Sequence, residues 1–237
     1  MIHQHILATP RPGMSEFEFQ DYWRYQHALK FARKIPQIRK YKVDSRIDIA
    51  NQPQELGFSG IAEIWLDNEK AQADSLKTRE FLEGAKLDEP KWAASWQSVV
   101  LDTESVDVLK SEAPEDREFP EYKILLFKKR KRGMSIDEFR NLYSTKYCAQ
   151  LKEYDLIKKV TGCLSKQNLY DSKNVEPSFD AITHVSFNSL FELKEFSFTK
   201  QFNQLLDPSN QILTDEWGIV TLSVRSEWIL GPSLRPY

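Results

Sequence analysis

"GMSEFEFQDYWRYQH" at Gly13–His27 and "GMSIDEFRNLYSTKY" at Gly133–Tyr147 are the same helix written twice, 120 positions apart. In each copy a serine (Ser15, Ser135) stands three residues before a glutamate (Glu18, Glu138). At that spacing each side chain can satisfy the other residue's backbone N–H, which marks a capping box and hence a helix start. Met14 with Phe19, and Met134 with Phe139, occupy the two positions of a hydrophobic staple. Beyond the cap, Phe19, Tyr22, Trp23, Gln26, His27 and Lys30 recur at helical spacing, matched by Phe139, Leu142, Tyr143 and Tyr147. That face is expected to press on a sheet. The copies differ most at the end, with histidine at 27 and tyrosine at 147.

Working outward, strand patterns flank both helices. "HQHILAT" and "EYKILLFK" precede them, and "IRKYKVDSRIDI" and "IKKVTGCLSKQNL" follow. Next come "FSGIAEIWLD" and "FDAITHVSFN", in which Ile61 aligns with Ile182, Glu63 with His184 and Leu66 with Phe187. A second helix fits "NEKAQADSLKTREFLEGA" and "ELKEFSFTKQFNQLL", each followed by an acidic pair, Asp88-Glu89 and Asp215-Glu216, and then by a last strand. Each half therefore reads as βαββαβ: residues 1–110 and 121–237, with the acidic, proline-containing stretch Ser111 to Pro120 as linker. A four-stranded sheet with helices on one face needs cover for the other, and the other half's sheet is the simplest cover. The expected state is a monomer built as its own dimer, or a weak homodimer.

Composition bounds the function classes. The 237 residues are 41% hydrophobic and 29% charged, with a net charge of −2. This suits a soluble globular chain and gives no electrostatic case for nucleic acid or anionic membrane. No apolar run approaches a membrane span, and "MIHQHILATP" lacks the basic region and long apolar core of a signal peptide, so a cytosolic address is expected. Cys148 and Cys163 form no metal-finger spacing and read as reduced thiols, so neither structural zinc nor another metal is expected.

"RPGMSEFEFQDYWRYQHA", "KYKV", "GIAEIWLD" and "LDEPKW" together resemble EthD-type domains of the dimeric α+β barrel superfamily, whose motif runs from a glycine-serine turn through an aromatic helix to a histidine. The second half is a diverged copy, with Tyr147 where the family has histidine and His184 where its strand has glutamate. The resemblance implies two ferredoxin-like βαββαβ domains joined as an intrachain α+β barrel. The first half would be active and the second structural. It also implies a substrate cleft between sheet and helices. Relatives include polyketide-tailoring cyclases, dehydratases and decarboxylases, cofactor-free oxygenases, haem-degrading enzymes and proteins of unknown activity; fold alone does not choose among them.

His27 is the first candidate. Enolisation, dehydration and decarboxylation beside a carbonyl need proton transfer in an apolar pocket, and an imidazole with a pKa of about 6.5 can serve as acid or base. The ordinary alternative is a helix histidine bonded to a backbone carbonyl. Glu63, on a strand face with Ile61 and Trp65, is expected to orient His27 or to be a paired charge at the cleft rim. His5 is expected to enter an apolar space, while His3 is expected to be solvated at a frayed end. Tyr22, Trp23 and Trp65 are candidates to wall the pocket against a flat ligand. Tyr147 and His184 form a candidate acid-base pair in the second half, and "KKRKR" (Lys128–Arg132) is expected to be a solvated loop. The reading is a lyase or cyclase of secondary metabolism, acting without cofactor or metal on an aromatic or polyketide-like small molecule. The alternatives are a haem-binding or cofactor-free monooxygenase and a non-catalytic carrier of aromatic ligands.

Overall fold

A computed structural model describes residues 1–50, 57–111, 118–171, 176–206, 212–215 and 219–236. Most of the linker expected at Ser111 to Pro120 lies outside them, as does Glu216. Among the described residues no helix is long and apolar enough to cross a membrane.

Eight strands make the frame: β1 (Ile2–Ala8), β2 (Lys40–Arg46), β3 (Gly60–Leu66), β4 (Val99–Leu109), β5 (Glu121–Lys128), β6 (Lys159–Ser165), β7 (Ala181–Phe187) and β8 (Ile219–Leu230). They close into one antiparallel barrel in the order β1-β3-β2-β8-β5-β7-β6-β4. The first half contributes the arc β4-β1-β3-β2 and the second the equivalent arc β8-β5-β7-β6. Two long strands sew the arcs together. β4 pairs with β1 through Val99–Thr103 and then with β6 through Thr103–Leu109. β8 pairs with β5 from Ile219 to Ser226 and with β2 from Val224 to Leu230. Closure removes the open sheet edges that would otherwise invite pairing with another chain.

Because strand side chains alternate, each arc has an inner and an outer face. The outer face of the first arc packs Ile2, Ala8, Tyr41, Val43, Ala62 and Ile64 against the first helix. The second arc does the same with Ile124, Leu126, Val160 and Val185. A third, smaller apolar cluster fills one end of the barrel interior, including Leu7, Ile61, Leu101, Leu125 and Phe127.

The repeated helix runs over Glu16–Tyr22 and Ile136–Leu142, and in both copies it continues as a π-helical turn, Trp23–Ala28 and Tyr143–Tyr147. Gly13 and Gly133 both sit at φ 83°, a left-handed turn that glycine enters without a steric penalty. The caps are not equal. Ser15 and Glu18 complete the reciprocal box, whereas in the second copy only Ser135 caps, accepting from Glu138 N at 3.1 Å. The second helix differs from expectation in both halves, because it breaks. Segments Glu69–Ser75 and Glu80–Ala85 flank Thr78, which bonds Ser75 O and receives Phe81 N. Leu190–Ser197 and Lys200–Leu206 flank Thr199, which bonds Phe196 O and receives Phe202 N. Each threonine ends one helical segment and caps the next.

Candidate functional site

The sequence placed His27 and Glu63 in one site, and the sheet separates them. His27 lies on the outer face of the first arc, under the helix, while Glu63 lies inside the barrel. Glu63 therefore does not orient His27.

The partner of His27 is Asp88. Its Oδ2 is 3.0 Å from His27 Nδ1, and its Oδ1 accepts from the Tyr22 hydroxyl at 2.9 Å and from Lys91 Nζ at 3.1 Å. A carboxylate only accepts, so Nδ1 carries the proton and Nε2 is left as the basic nitrogen. The residues converge because the π turn aims His27 down onto the sheet, while the segment Lys86–Asp88 follows the broken second helix back across it. Burial holds the His27 pKa below its ordinary value despite the opposing pull of Asp88, so the ring is neutral at neutral pH. Burial and Asp88 together push the Tyr22 hydroxyl up to about 12, keeping it a proton donor to the carboxylate.

The ring of His27 lines a cavity of about 100 Å³ with Trp23, Tyr41, Phe81 and Trp92. Trp92 lies 4.7 Å from the His27 ring centre and 4.9 Å from that of Trp23, and Trp23 Nε1 donates to the Tyr41 hydroxyl. Trp23 lines this cavity, and Tyr22 belongs to the carboxylate rather than to a stacking surface. The size is of the order of the roughly 150 Å³ that takes one benzene ring. It does not fit a haem macrocycle.

A second constellation occupies the barrel interior. His3, expected at a solvated end, is buried at 3% exposure, because β1 pairs along its length with β3 and β4. His3 Nε2 lies 2.9 Å from Glu63 Oε2, and its ring stacks on Trp65 with centroids 4.1 Å apart. Trp65 therefore walls this interior and not the cavity of His27. Lys123 bonds Glu63 Oε1 and stands 3.0 Å from Asp44 Oδ2. His5 is fully buried as expected, yet its neighbour is polar: His5 Nε2 is 3.0 Å from His184 Nε2. His184 Nδ1 lies 3.5 Å from Glu63 Oε2. Burial drives the His3 and His5 pKa values down and that of His184 to about 3, while Asp44 rises to about 7 through burial and the nearby Glu63 charge. For Glu63 the cations around it, Lys123 first, outweigh burial and hold the carboxyl low. A mouth of about 190 Å³ opens onto His3, Glu63, Lys123 and His184 between Trp65 and Trp228.

The suggested Tyr147–His184 pair is not formed, because Tyr147 belongs to the outer cluster of the second arc. Its ring lies 4.9 Å from Lys128 Nζ. Lys128 closes β5 and is buried, and Lys129 and Arg130 pair with Glu176 and Asp180, so "KKRKR" is only in part a solvated loop. The sequence pattern places Asp88, in "LDEP", only in an acidic pair aligned with Asp215-Glu216 and gives no sign of its bond to His27. The backbone bonds Arg11 N to Trp92 O and Lys131 N to Leu213 O set the true register, in which Asp215 corresponds to Ala94.

Comparison with known proteins agrees with this architecture. Residues 11–95 match the EthD domain model, a span that contains His27, Tyr22 and Asp88. No curated protein sequence matches the chain. Among solved structures, a candidate monooxygenase from Fusobacterium nucleatum subsp. nucleatum superposes with a TM-score of 0.60 at 9% identity, covering 100% of this chain and 96% of its own. An anthrone oxidase-like protein gives 0.61 at 9% identity, over 96% and 92% of the two chains. A candidate monooxygenase from Lactobacillus acidophilus NCFM gives 0.53 at 11% identity, over 99% of both. At these identities the likeness concerns the fold alone, a mixed α/β chain with an eight-stranded closed barrel similar to that of dimeric α+β barrel proteins.

Proposed function

We propose that the first half is the active half of a cofactor-independent enzyme that acts on an aromatic or polyketide-like small molecule, with His27 as general base. In this reading each half is a ferredoxin-like unit, the second half is chiefly structural, and the chain works in the cytosol. One observation carries it: a neutral histidine, its Nδ1 fixed by a carboxylate that a tyrosine hydroxyl also supports, lines an apolar cavity of about 100 Å³ walled by aromatic rings.

His27 Nε2 takes a proton from an acidic carbon or phenol of the bound ring, and the electron pair delocalises into the adjoining carbonyl. Trp23 and Trp92 flank the ring and exclude water, which strengthens the interaction between imidazolium and enolate. From that enolate the preferred course is a lyase or cyclase step, in which the pair expels a β-hydroxyl that leaves as water with the proton held on His27, or attacks a second carbonyl. In decarboxylation His27 instead takes the carboxyl proton, the C–C bond breaks as CO₂ leaves, its electron pair forms the enolate, and His27 returns the proton to carbon. The neighbour described as anthrone oxidase-like favours a second course in which the same anion reacts with O₂ as oxidant.

Both courses need His27, and oxygen separates them. Aromatic β-keto acids and anthrones are supplied in air and under nitrogen to the native chain and to His27→Ala. Turnover that survives nitrogen supports the lyase reading, and turnover that requires O₂ supports the oxygenase. Ligand binding without turnover would leave a carrier, and equal turnover by both proteins would remove His27 as the general base.

A further inference from the structure

Three of the chain's four histidines are not near His27 at all. His3, His5 and His184 meet inside the barrel, on the other side of the sheet, with Glu63, Asp44, Lys123 and Cys163. The repeat explains how. Along the aligned strands His3 corresponds to Lys123, His5 to Leu125 and Glu63 to His184, so each half supplies what the other lacks, and Lys123–Glu63, Lys123–Asp44, His184–His5 and Cys163–His3 all cross between halves.

The arrangement is incomplete as an apolar core. The two Nε2 atoms of His5 and His184 face each other with one proton's worth of bonding between them, and buried His5 Nδ1 has no hydrogen-bond partner among the described residues. Two buried acidic groups, Glu63 and Asp44, share the ammonium of Lys123.

We propose that the barrel interior binds one divalent first-row transition ion through His5, His184 and Glu63. One ligand atom from each lies within 4.8 Å of the other two. Imidazole and carboxylate ligands sit about 2.0–2.2 Å from zinc, so atoms on a shared ion stand roughly 3–4 Å apart, and closure needs side-chain movement of about an ångström. The 3.0 Å between the two Nε2 atoms already suits such an ion. Glu63 keeps Lys123 on Oε1 and His3 on Oε2, partners that orient it as outer-shell groups orient metal ligands. The mouth beside His184 and Glu63 gives the ion its entry and room for water in the remaining positions. Two histidines and a carboxylate suit zinc, iron or nickel rather than magnesium or calcium. The ion would tie the halves together, since His5 and Glu63 come from one and His184 from the other.

The test uses the full chain after treatment with chelator and exhaustive dialysis. Zn²⁺ uptake is counted by equilibrium dialysis, and Co²⁺ substitution is read in the visible spectrum. The expected result is one equivalent per chain, a Tm that rises with Zn²⁺, and a Co²⁺ spectrum without a strong thiolate charge-transfer band. His5→Gln and His184→Gln should each weaken binding by more than the roughly 10–100-fold typical of losing an outer-shell partner. His27→Gln, the remaining histidine, should keep the full equivalent. Substoichiometric uptake by the native chain overturns the proposal, as does native affinity in both His5→Gln and His184→Gln. A strong thiolate band also overturns it, because the ion would then sit on Cys163. Stoichiometry and spectrum of the native chain decide even if a variant fails to fold.

Discussion

At the scale of single residues, what separates His27 from an ordinary buried histidine is the direction of its bonds. A structural histidine satisfies both nitrogens; here one nitrogen is held by Asp88 and the ring lines a cavity. His27→Ala is expected to lower turnover by roughly 10²–10⁴ with little change in Tm, as loss of a general base does. Asp88→Asn should leave the ring in place, reduce kcat, and move the acidic limb of the pH–rate profile. The sign follows from the charges: Asp88 raises the His27 pKa against burial, so its neutralisation carries the limb to lower pH. A limb that stayed put would show that the carboxylate does not act through the imidazole. Inside the barrel, Lys123→Met would leave Glu63 and Asp44 as buried carboxylates without their ammonium, at a cost of roughly 3–5 kcal/mol, measurable by chemical denaturation. Adding Glu63→Gln should recover part of that loss, and a double variant worse than the single one would contradict the pairing. His27, Trp23 and His5 could be picked from the sequence because periodicity assigns faces. Their partners could not be, because Asp88 arrives from a segment 61 positions away and Glu63 points through the sheet in the opposite direction.

At the scale of elements, the start of the repeated helix was legible in the sequence and the break in the second helix was not. The capping serines act through a local bond three residues away, which spacing alone encodes. Thr78 and Thr199 sit inside stretches whose apolar pattern continues across them, so the pattern hid a break that the threonine hydroxyls impose. The same local accounting separates the two caps. Ser15→Ala and Ser135→Ala should each cost about 0.5–2 kcal/mol. Glu18→Ala should destabilise more than Glu138→Ala, because only Glu18 returns a bond to its cap. Thermal melts of the four variants check this, and equal loss from the two glutamates would mean the second box also closes.

At the scale of the whole molecule, alternation and the repeat foretold two equivalent sheets but not how they join. The family resemblance implied a barrel and the sheets form one, joined edge to edge because β4 and β8 run on past their own arcs, an extension that no periodicity marks. With both seams inside the chain, sedimentation should give a single species of about 27.8 kDa, and a stable dimer would require a surface other than the sheet edges. Closure also buries an unusual load of imidazole, and that sets how the molecule responds to acid. All four histidines have folded-state pKa values below their ordinary one, His184 at about 3. A histidine depressed on folding contributes stability that is present above its unfolded pKa of about 6.5 and is lost as pH falls toward the folded value. Asp44 has the opposite sign: its raised pKa contributes stability at low pH that is lost as pH rises through about 7. The raised carboxyls of Asp44 and Glu89 oppose four depressed imidazoles and the depressed buried carboxyls of Glu63 and Glu121, which leaves acidification destabilising overall. The Tm, measured with chelator present, is therefore expected to fall steadily from pH 7 to pH 4, and His184→Gln should flatten the slope. A Tm that held constant or rose over that range would mean that the barrel admits protonated histidine.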